Sequence, residues 1–354
     1  MLKTKSYNLL NYTGKVMRIV STLLCLLLFS LALQAQPDKT FVSVPVSVSD
    51  REGRYISGLK KDDFRILQDG KEQKISFFAT EDEPVSVALL IDTSESTKGV
   101  LNEIRAAAKD FIELLNSKDK CLVATFDSEV KVLSPFSSNR EDLEKSLEKI
   151  ETGKREGTVV FSAIEQIARE HFTKTQGRKI IVLLSDGKDY GSAVSKNELL
   201  SQLEESDVMI YSIFYQTGRV FVDPKGAVKE APETKKPEEK KPGKKKKKYT
   251  IKIALGRDTN TPEEIELIDK VANTEAVNVL KEMSDTTAGR FYMSDAPKLS
   301  QIFKKIAAEV RQQYRLGFNS KTIADDRDVN DIIIKVNRTD AVVRARGKYR
   351  AKKL

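Results

Sequence analysis

The residues of this 354-residue chain best suited to chemistry are oxygen donors placed at the ends of apolar runs. Val85-Ser86-Val87-Ala88-Leu89-Leu90-Ile91 leads into Asp92-Thr93-Ser94-Glu95-Ser96, and Lys179-Ile180-Ile181-Val182-Leu183-Leu184 leads into Ser185-Asp186-Gly187-Lys188-Asp189. Between them Gly157-Thr158 precedes an amphipathic stretch and supplies one more hydroxyl. Asp92, Ser94, Ser96, Thr158 and Asp186 are hard donors suited to an octahedral Mg²⁺, with Mn²⁺ or Ca²⁺ as the other ions such a set takes. Asp and Ser are also ordinary helix N-caps, so Ser94 and Ser96 have a purely structural reading as well.

Composition closes off most other chemistry. Two Cys, Cys25 and Cys121, and a single histidine, His171, cannot assemble a Cys/His zinc cluster, and they leave haem, iron–sulfur and disulfide scaffolds without ligands. A Ser–His–Asp hydrolase would have to use His171, which falls near the end of an expected helix, where an imidazole suits the dipole. Cys121 opens an apolar strand and reads as an inert core residue. Ser57-x-x-Lys60, Ser117-x-x-Lys120 and Ser185-x-x-Lys188 all match a serine-acylase spacing, and its recurrence shows how cheaply it arises.

The elements that must position these donors follow from periodicity. From Phe41, Val42, Val44, Val46 and Val48 alternate with small polar residues, the pattern of a strand with one buried face, and Pro45 argues for a sheet edge. Asp69-Gly70 predicts a hairpin between Phe64–Leu67 and Lys74–Phe77. From Pro84 the chain alternates nearly continuous apolar strands with amphipathic helices, which specifies a doubly wound α/β unit with a mainly parallel sheet. Ligands in such folds sit at the carboxyl ends of the strands, where all five donors fall. The C-terminal stretch returns to strands around Tyr314–Phe318, Ile332–Val336 and Val342–Arg346. The two terminal β segments together have the size of a β-sandwich, so a split sandwich with the α/β unit inserted in it is expected.

Two segments stand apart. Ile19–Leu33 is an apolar run behind Lys15 and Arg18, and Gln34-Ala35-Gln36 offers a small residue for cleavage, so residues 1–35 read as a secretory signal peptide cut after Ala35. An uncleaved membrane anchor is the other reading; Cys25, preceded by Leu24 in mid-run, does not suit a lipoprotein. About 217–262, with Pro224, Pro232, Pro237, Pro242 and the run Lys244–Lys248, reads as a disordered insert, with Ile251–Leu255 a short strand near its end. Residues 1–35 carry +4 and Val220–Tyr249 carries +6, so of the net +9 the rest of the chain holds −1, and no nucleic-acid-binding fold is implied. The expected organisation is signal peptide 1–35, β segment 36–83, α/β unit 84–313 and β segment 314–354.

With these motifs in hand, the sequence resembles the von Willebrand factor type A family, whose metal-ion-dependent adhesion site combines D-x-S-x-S with a Thr and a second Asp on separate loops. Asp92, Ser94, Ser96, Thr158 and Asp186 match all five positions, and Gly157-Thr158-x-x-x-x-Ala163-Ile164 and Leu184-Ser185-Asp186-Gly187 resemble the family's loops. Leu280-Lys281-Glu282-Met283 and Gly289-Arg290-Phe291-Tyr292, with the flanking β segments, resemble more narrowly a secreted group common in acidobacteria. The resemblance implies that the serines touch the metal, that the aspartates act largely through water, and that one coordination position stays open for an acidic group.

The expected function is therefore an exported, periplasmic or extracellular, non-enzymatic adhesion module that captures an acidic residue of a protein partner through a divalent ion. The Lys244–Lys248 run is a candidate contact for an anionic surface, with no specific nucleic acid or small-molecule substrate expected. Two other readings stand beside it: an envelope scaffold whose metal site is incidental, and a metal-assisted hydrolase with Glu95 or Asp189 as base.

Overall fold

The computed structural model describes residues 40–80, 83–153, 157–215, 221–222, 228–229, 275–294, 298–320 and 329–350. The chain opens with β1 (Thr40–Ser49), β2 (Phe64–Gln68), β3 (Lys71–Gln73) and β4 (Ile75–Ala79). There follow β5 (Val85–Asp92), α1 (Leu101–Leu114), β6 (Lys120–Phe126), β7 (Val130–Ser137), α2 (Arg140–Glu148), α3 (Val160–Gln166), β8 (Arg178–Ser185), α4 (Lys196–Glu205) and β9 (Val208–Tyr215). A small antiparallel pair, β10 (Phe221–Val222) and β11 (Val228–Lys229), comes next. The chain closes with α5 (Glu275–Thr286), β12 (Phe291–Ser294), α6 (Leu299–Arg311), β13 (Tyr314–Ser320), β14 (Val329–Val336), β15 (Val342–Ala345) and β16 (Lys348–Arg350).

The α/β unit is a six-stranded sheet of order β12-β9-β8-β5-β6-β7, parallel except for the β6–β7 pair. Every residue of β5 is buried, because helices cover both faces. Val87, Leu89 and Ile91 point to one side, where they meet Ile104 and Phe111 of α1 and Phe303 and Ile306 of α6. Ala88 and Leu90 point to the other, against Val160 and Ile164 of α3, Leu199 of α4 and Leu280 of α5. The run of consecutive apolar residues in β5 and β8 is thus the two-sided burial of central parallel strands.

The terminal β segments form one body. One sheet has the order β15-β1-β13-β4 and the other β16-β14-β2-β3, so each combines strands from both ends of the chain. Val44, Val46, Val48, Phe64, Ile66, Leu316, Phe318, Ile332 and Tyr349 share the core between them. This is the split sandwich that the strand pattern implied.

Two local expectations are corrected. β1 lies inside its sheet rather than at the edge, but β15 pairs only with Val46–Ser49, so the strand has an open side at Pro45, where a missing N–H costs nothing. Asp69-Gly70 makes the expected tight turn, with φ of 49° and 75°, but the returning strand is Lys71–Gln73. Ile75 then crosses to the opposite sheet, because its partner there is Phe318 on β13. The expected signal peptide, and all of the expected insert except β10 and β11, lie outside the described residues; Ile251–Leu255 does too. Among the described residues no helix is long and apolar enough to cross a membrane.

Buried polar contacts join the two bodies. Arg178, at the start of β8, donates from Nε to the Glu83 carbonyl at 3.1 Å and from its terminal nitrogen to the Val310 carbonyl. It therefore grips both crossings of the chain between sandwich and α/β unit. Glu309 on α6 is fully buried; it accepts from Arg290 Nε at 2.7 Å and from Ser47 Oγ of β1 at 3.3 Å.

Candidate metal centre

Asp92 is the last residue of β5, and Asp186 follows the last residue of β8, its parallel neighbour, so both carboxylates stand on one rim of the sheet. The Asp92 side chain is wholly buried. Its Oδ2 accepts from Ser185 Oγ at 2.8 Å, and its Oδ1 accepts from the Ser94 main-chain N–H at 2.9 Å. Ser185 Oγ in turn accepts from the Gly187 N–H at 2.9 Å, which ties the two rim loops together. Burial pushes the Asp92 pKa up to about 6; the like charge of Asp186 adds to this, while bonds from Ser94 and Ser185 oppose it.

Ser94 stands at the N-cap of a 3₁₀ turn, Glu95–Val100, but makes no side-chain capping bond. Its hydroxyl bonds Asp92 instead, so the capping reading fails for this residue. Ser96 lies in the same turn; its side chain is outside the described residues. Thr158 is buried ahead of α3 and is held by a bridge across the rim, with its N–H donating to the Tyr190 carbonyl at 3.3 Å and its carbonyl accepting from the Tyr190 N–H at 2.7 Å. Gly157, at φ +119°, allows that approach, since a Cβ there would lie 3.3 Å from the Tyr190 carbonyl oxygen.

The structure thus brings Asp92, Ser94, Thr158 and Asp186 to the carboxyl ends of adjoining strands and places the Ser96 backbone beside them. Among the described residues no three His, Cys, Asp or Glu side chains gather as a metal cluster, and this rim mixes carboxylates with hydroxyls instead. The set fits a hard divalent cation. A buried carboxylate whose charged neighbour is a second carboxylate is unfavourable by itself, and a doubly positive ion offsets both charges.

Sequence reasoning did not assign roles to Ser185 or Tyr190; the Ser-Asp-Gly order was the signal for the first. The two candidate bases have other duties. Glu95 is exposed and pairs with Lys98 at 3.1 Å. Asp189 accepts from the Phe161 N–H at 3.1 Å and from Ser192 Oγ at 2.6 Å, holding the start of α3. Cys121 is fully buried, its thiol pushed up to about 12 by desolvation. Beside Thr93 a depression of about 300 Å³ is lined by Asp127, Glu129, Lys131, Lys149 and Glu151. A larger cleft of about 660 Å³ lies at the opposite pole, between β1 and the amino ends of β8 and β9. Arg350 of the sandwich pairs across it with Glu204 of α4 at 3.2 Å, as in an interdomain seam, and Lys179 pairs with Asp207 on its α/β wall at 3.0 Å.

A six-stranded, mainly parallel sheet covered by helices on both faces defines a Rossmann-like α/β module. Residues 86–230 match the model of the von Willebrand factor type A domain. No curated protein matches the chain. Its fold is similar to that of a conserved hypothetical protein, BatB, from Bacteroides thetaiotaomicron (16% identity, TM-score 0.42, covering 64% of this chain and 97% of that one). It is also similar to an aerotolerance-related membrane protein from Bacteroides fragilis (16% identity, TM-score 0.42, 64% and 98% coverage). A third likeness is to proximal thread matrix protein 1 of the mussel byssus, solved with a zinc-occupied adhesion-site motif (14% identity, TM-score 0.45, 69% of this chain). The matched part spans 49% of that mussel chain.

Proposed function

We propose that the protein is an exported, non-enzymatic adhesion module in which Asp92, Ser94, Ser96, Thr158 and Asp186 hold a divalent ion, Mg²⁺ in the first instance, that captures an acidic group of a protein partner. Domains of this family serve typically as protein-interaction modules. The observation that carries the reading is the Asp92 carboxylate, buried and hydrogen-bonded by Ser185 and Ser94, with Asp186 as its charged neighbour. The bound ion would supply an electrophilic position for an anionic ligand; this chain's own residues orient and bind. Glu95 and Asp189 are committed to other contacts, which weighs against a hydrolase. The Lys244–Lys248 run adds five positive charges to the chain. Those lysines would favour an acidic partner surface by steering.

The test is a melting curve in Mg²⁺ and in EDTA, combined with retention of envelope proteins on the immobilised chain. Mg²⁺ should raise the melting temperature and permit retention, and Asp92→Ala should abolish both. Retention that survives EDTA and Asp92→Ala would favour the scaffold reading, and phosphoester or peptide turnover lost in Asp92→Ala would favour the hydrolase.

A further inference from the structure

Tyr190 stands out at the metal rim. At 65% exposure it is the most exposed large apolar-bodied side chain among the described residues, and its ring stacks on no other described ring. Isolated exposed aromatics are common, so exposure alone means little. Position and rigidity distinguish this one. Both of its main-chain polar groups are bonded to Thr158, and Gly157 and Gly191 hold φ of +119° and +111° on either side of that bridge. Asp189, the preceding residue, is fixed by two hydrogen bonds. The ring therefore projects into solvent from a base that does not need ordering, the arrangement in which an aromatic contributes contact at low entropic cost.

We propose that Tyr190 reads a residue near the partner's metal-seeking carboxylate, so that the acidic ligand carries an aromatic or large aliphatic side chain two positions from its Asp or Glu. This rests on the adhesion-site reading above. An antiparallel bridge sets the two Cα atoms about 4.5–5.5 Å apart, so the ring emerges within one side-chain length of Thr158. Side chains on one face of an extended peptide repeat every ~6.8 Å, so the residue two positions from a carboxylate anchored at the rim would come within reach of the Tyr190 ring.

The test uses the full chain and dye-labelled peptides, Gly-Gly-Asp-Gly-Gly and versions with Phe two positions before or after Asp, titrated in Mg²⁺ and in EDTA. Wild type should bind the Phe-containing peptides about tenfold tighter than the Phe-free one, in Mg²⁺ only. Tyr190→Ala should remove that preference while keeping the Mg²⁺-dependent melting shift, and Tyr190→Phe should retain it. A preference that persists in Tyr190→Ala, or a wild type with no Phe preference or no binding, would overturn the proposal. An intact Mg²⁺ melting shift then confines the failure to Tyr190; a missing shift places it in the metal reading itself.

Discussion

Lowering the pH from about 7 to about 5 should weaken Mg²⁺ binding roughly tenfold, because the ion and a proton compete for Asp92. Burial pushes this carboxyl from its ordinary 3.8 to about 6, with Asp186 adding to the shift. At pH ~5 such a group is protonated about ten to one, and the proton must leave before the ion binds. The sign for the metal-free protein follows from the same shift. An acid whose folded pKa is raised stabilises the fold below its unfolded value and loses that contribution as pH rises through the folded value. Between about pH 4 and pH 6 the metal-free protein should therefore lose on the order of 3 kcal/mol from this group. With an assumed dissociation constant of ~0.1 mM, ~1 mM Mg²⁺ adds about 1.4 kcal/mol at neutral pH and about 0.4 kcal/mol at pH ~5. The melting shift should shrink from roughly 3–6 °C to about 1 °C. Asp92→Asn keeps an acceptor for Ser94 and a partner for Ser185, so it should fold, lack the Mg²⁺ shift and show a flat profile over this range. Calorimetry at both pH values decides: an equal Mg²⁺ shift at each, or a shift retained by Asp92→Asn, would refute the reasoning.

Asp186→Ala should fold normally yet lose the Mg²⁺ shift, while Ser94→Ala should reduce it, both read by thermal melting in Mg²⁺ and EDTA. Gly187→Ala should cost more than about 1 kcal/mol and disturb metal binding, because φ is +74° and a Cβ would lie 2.9 Å from the Ala276 carbonyl oxygen; urea denaturation measures it. Arg290→Ala should cost about 3 kcal/mol, since it strips the wholly buried Glu309 carboxylate of its cation and leaves it the neutral hydroxyls of Ser47 and Tyr55; Glu309→Gln in the same background should recover part of the loss. Replacing residues 220–250 with a short Gly/Ser linker should change stability by less than about 1 kcal/mol and leave the Mg²⁺ shift in place.

The parts of the molecule visible in the sequence are those governed by local pattern. β5 and β8 were legible because two-sided burial leaves no polar position to confuse the count, and the donors were legible because they interrupt those runs at the rim. The sandwich was legible only as a sum of two incomplete halves. Its register was not, because pairing Thr40 with Ser320 depends on how the intervening unit returns the chain. The same reason explains the hairpin error: Lys74–Phe77 alternates polar with apolar while Lys71–Gln73 is wholly polar, and the pairing of Ile75–Ala79 with β13 is what leaves the return strand to the polar residues. Ser94 left two readings open, cap and ligand, because a hydroxyl serves both; its bond to the Asp92 carboxylate removes the cap.

Arg178 has a consequence for how the chain folds. The sandwich pairs strands separated by more than two hundred residues, between Ala79 on β4 and Tyr314 on β13, a contact order that by itself makes nucleation slow. Once the α/β unit has formed, the guanidinium of Arg178 holds the Glu83 and Val310 carbonyls together, and the loop left to close shrinks to the few residues outside that clasp. By the logarithmic scaling of loop closure this removes about 3 kcal/mol of entropy from the search. The order of events is then imposed by connectivity: the inserted unit folds first from contacts within itself, and the sandwich condenses last around its two emerging ends.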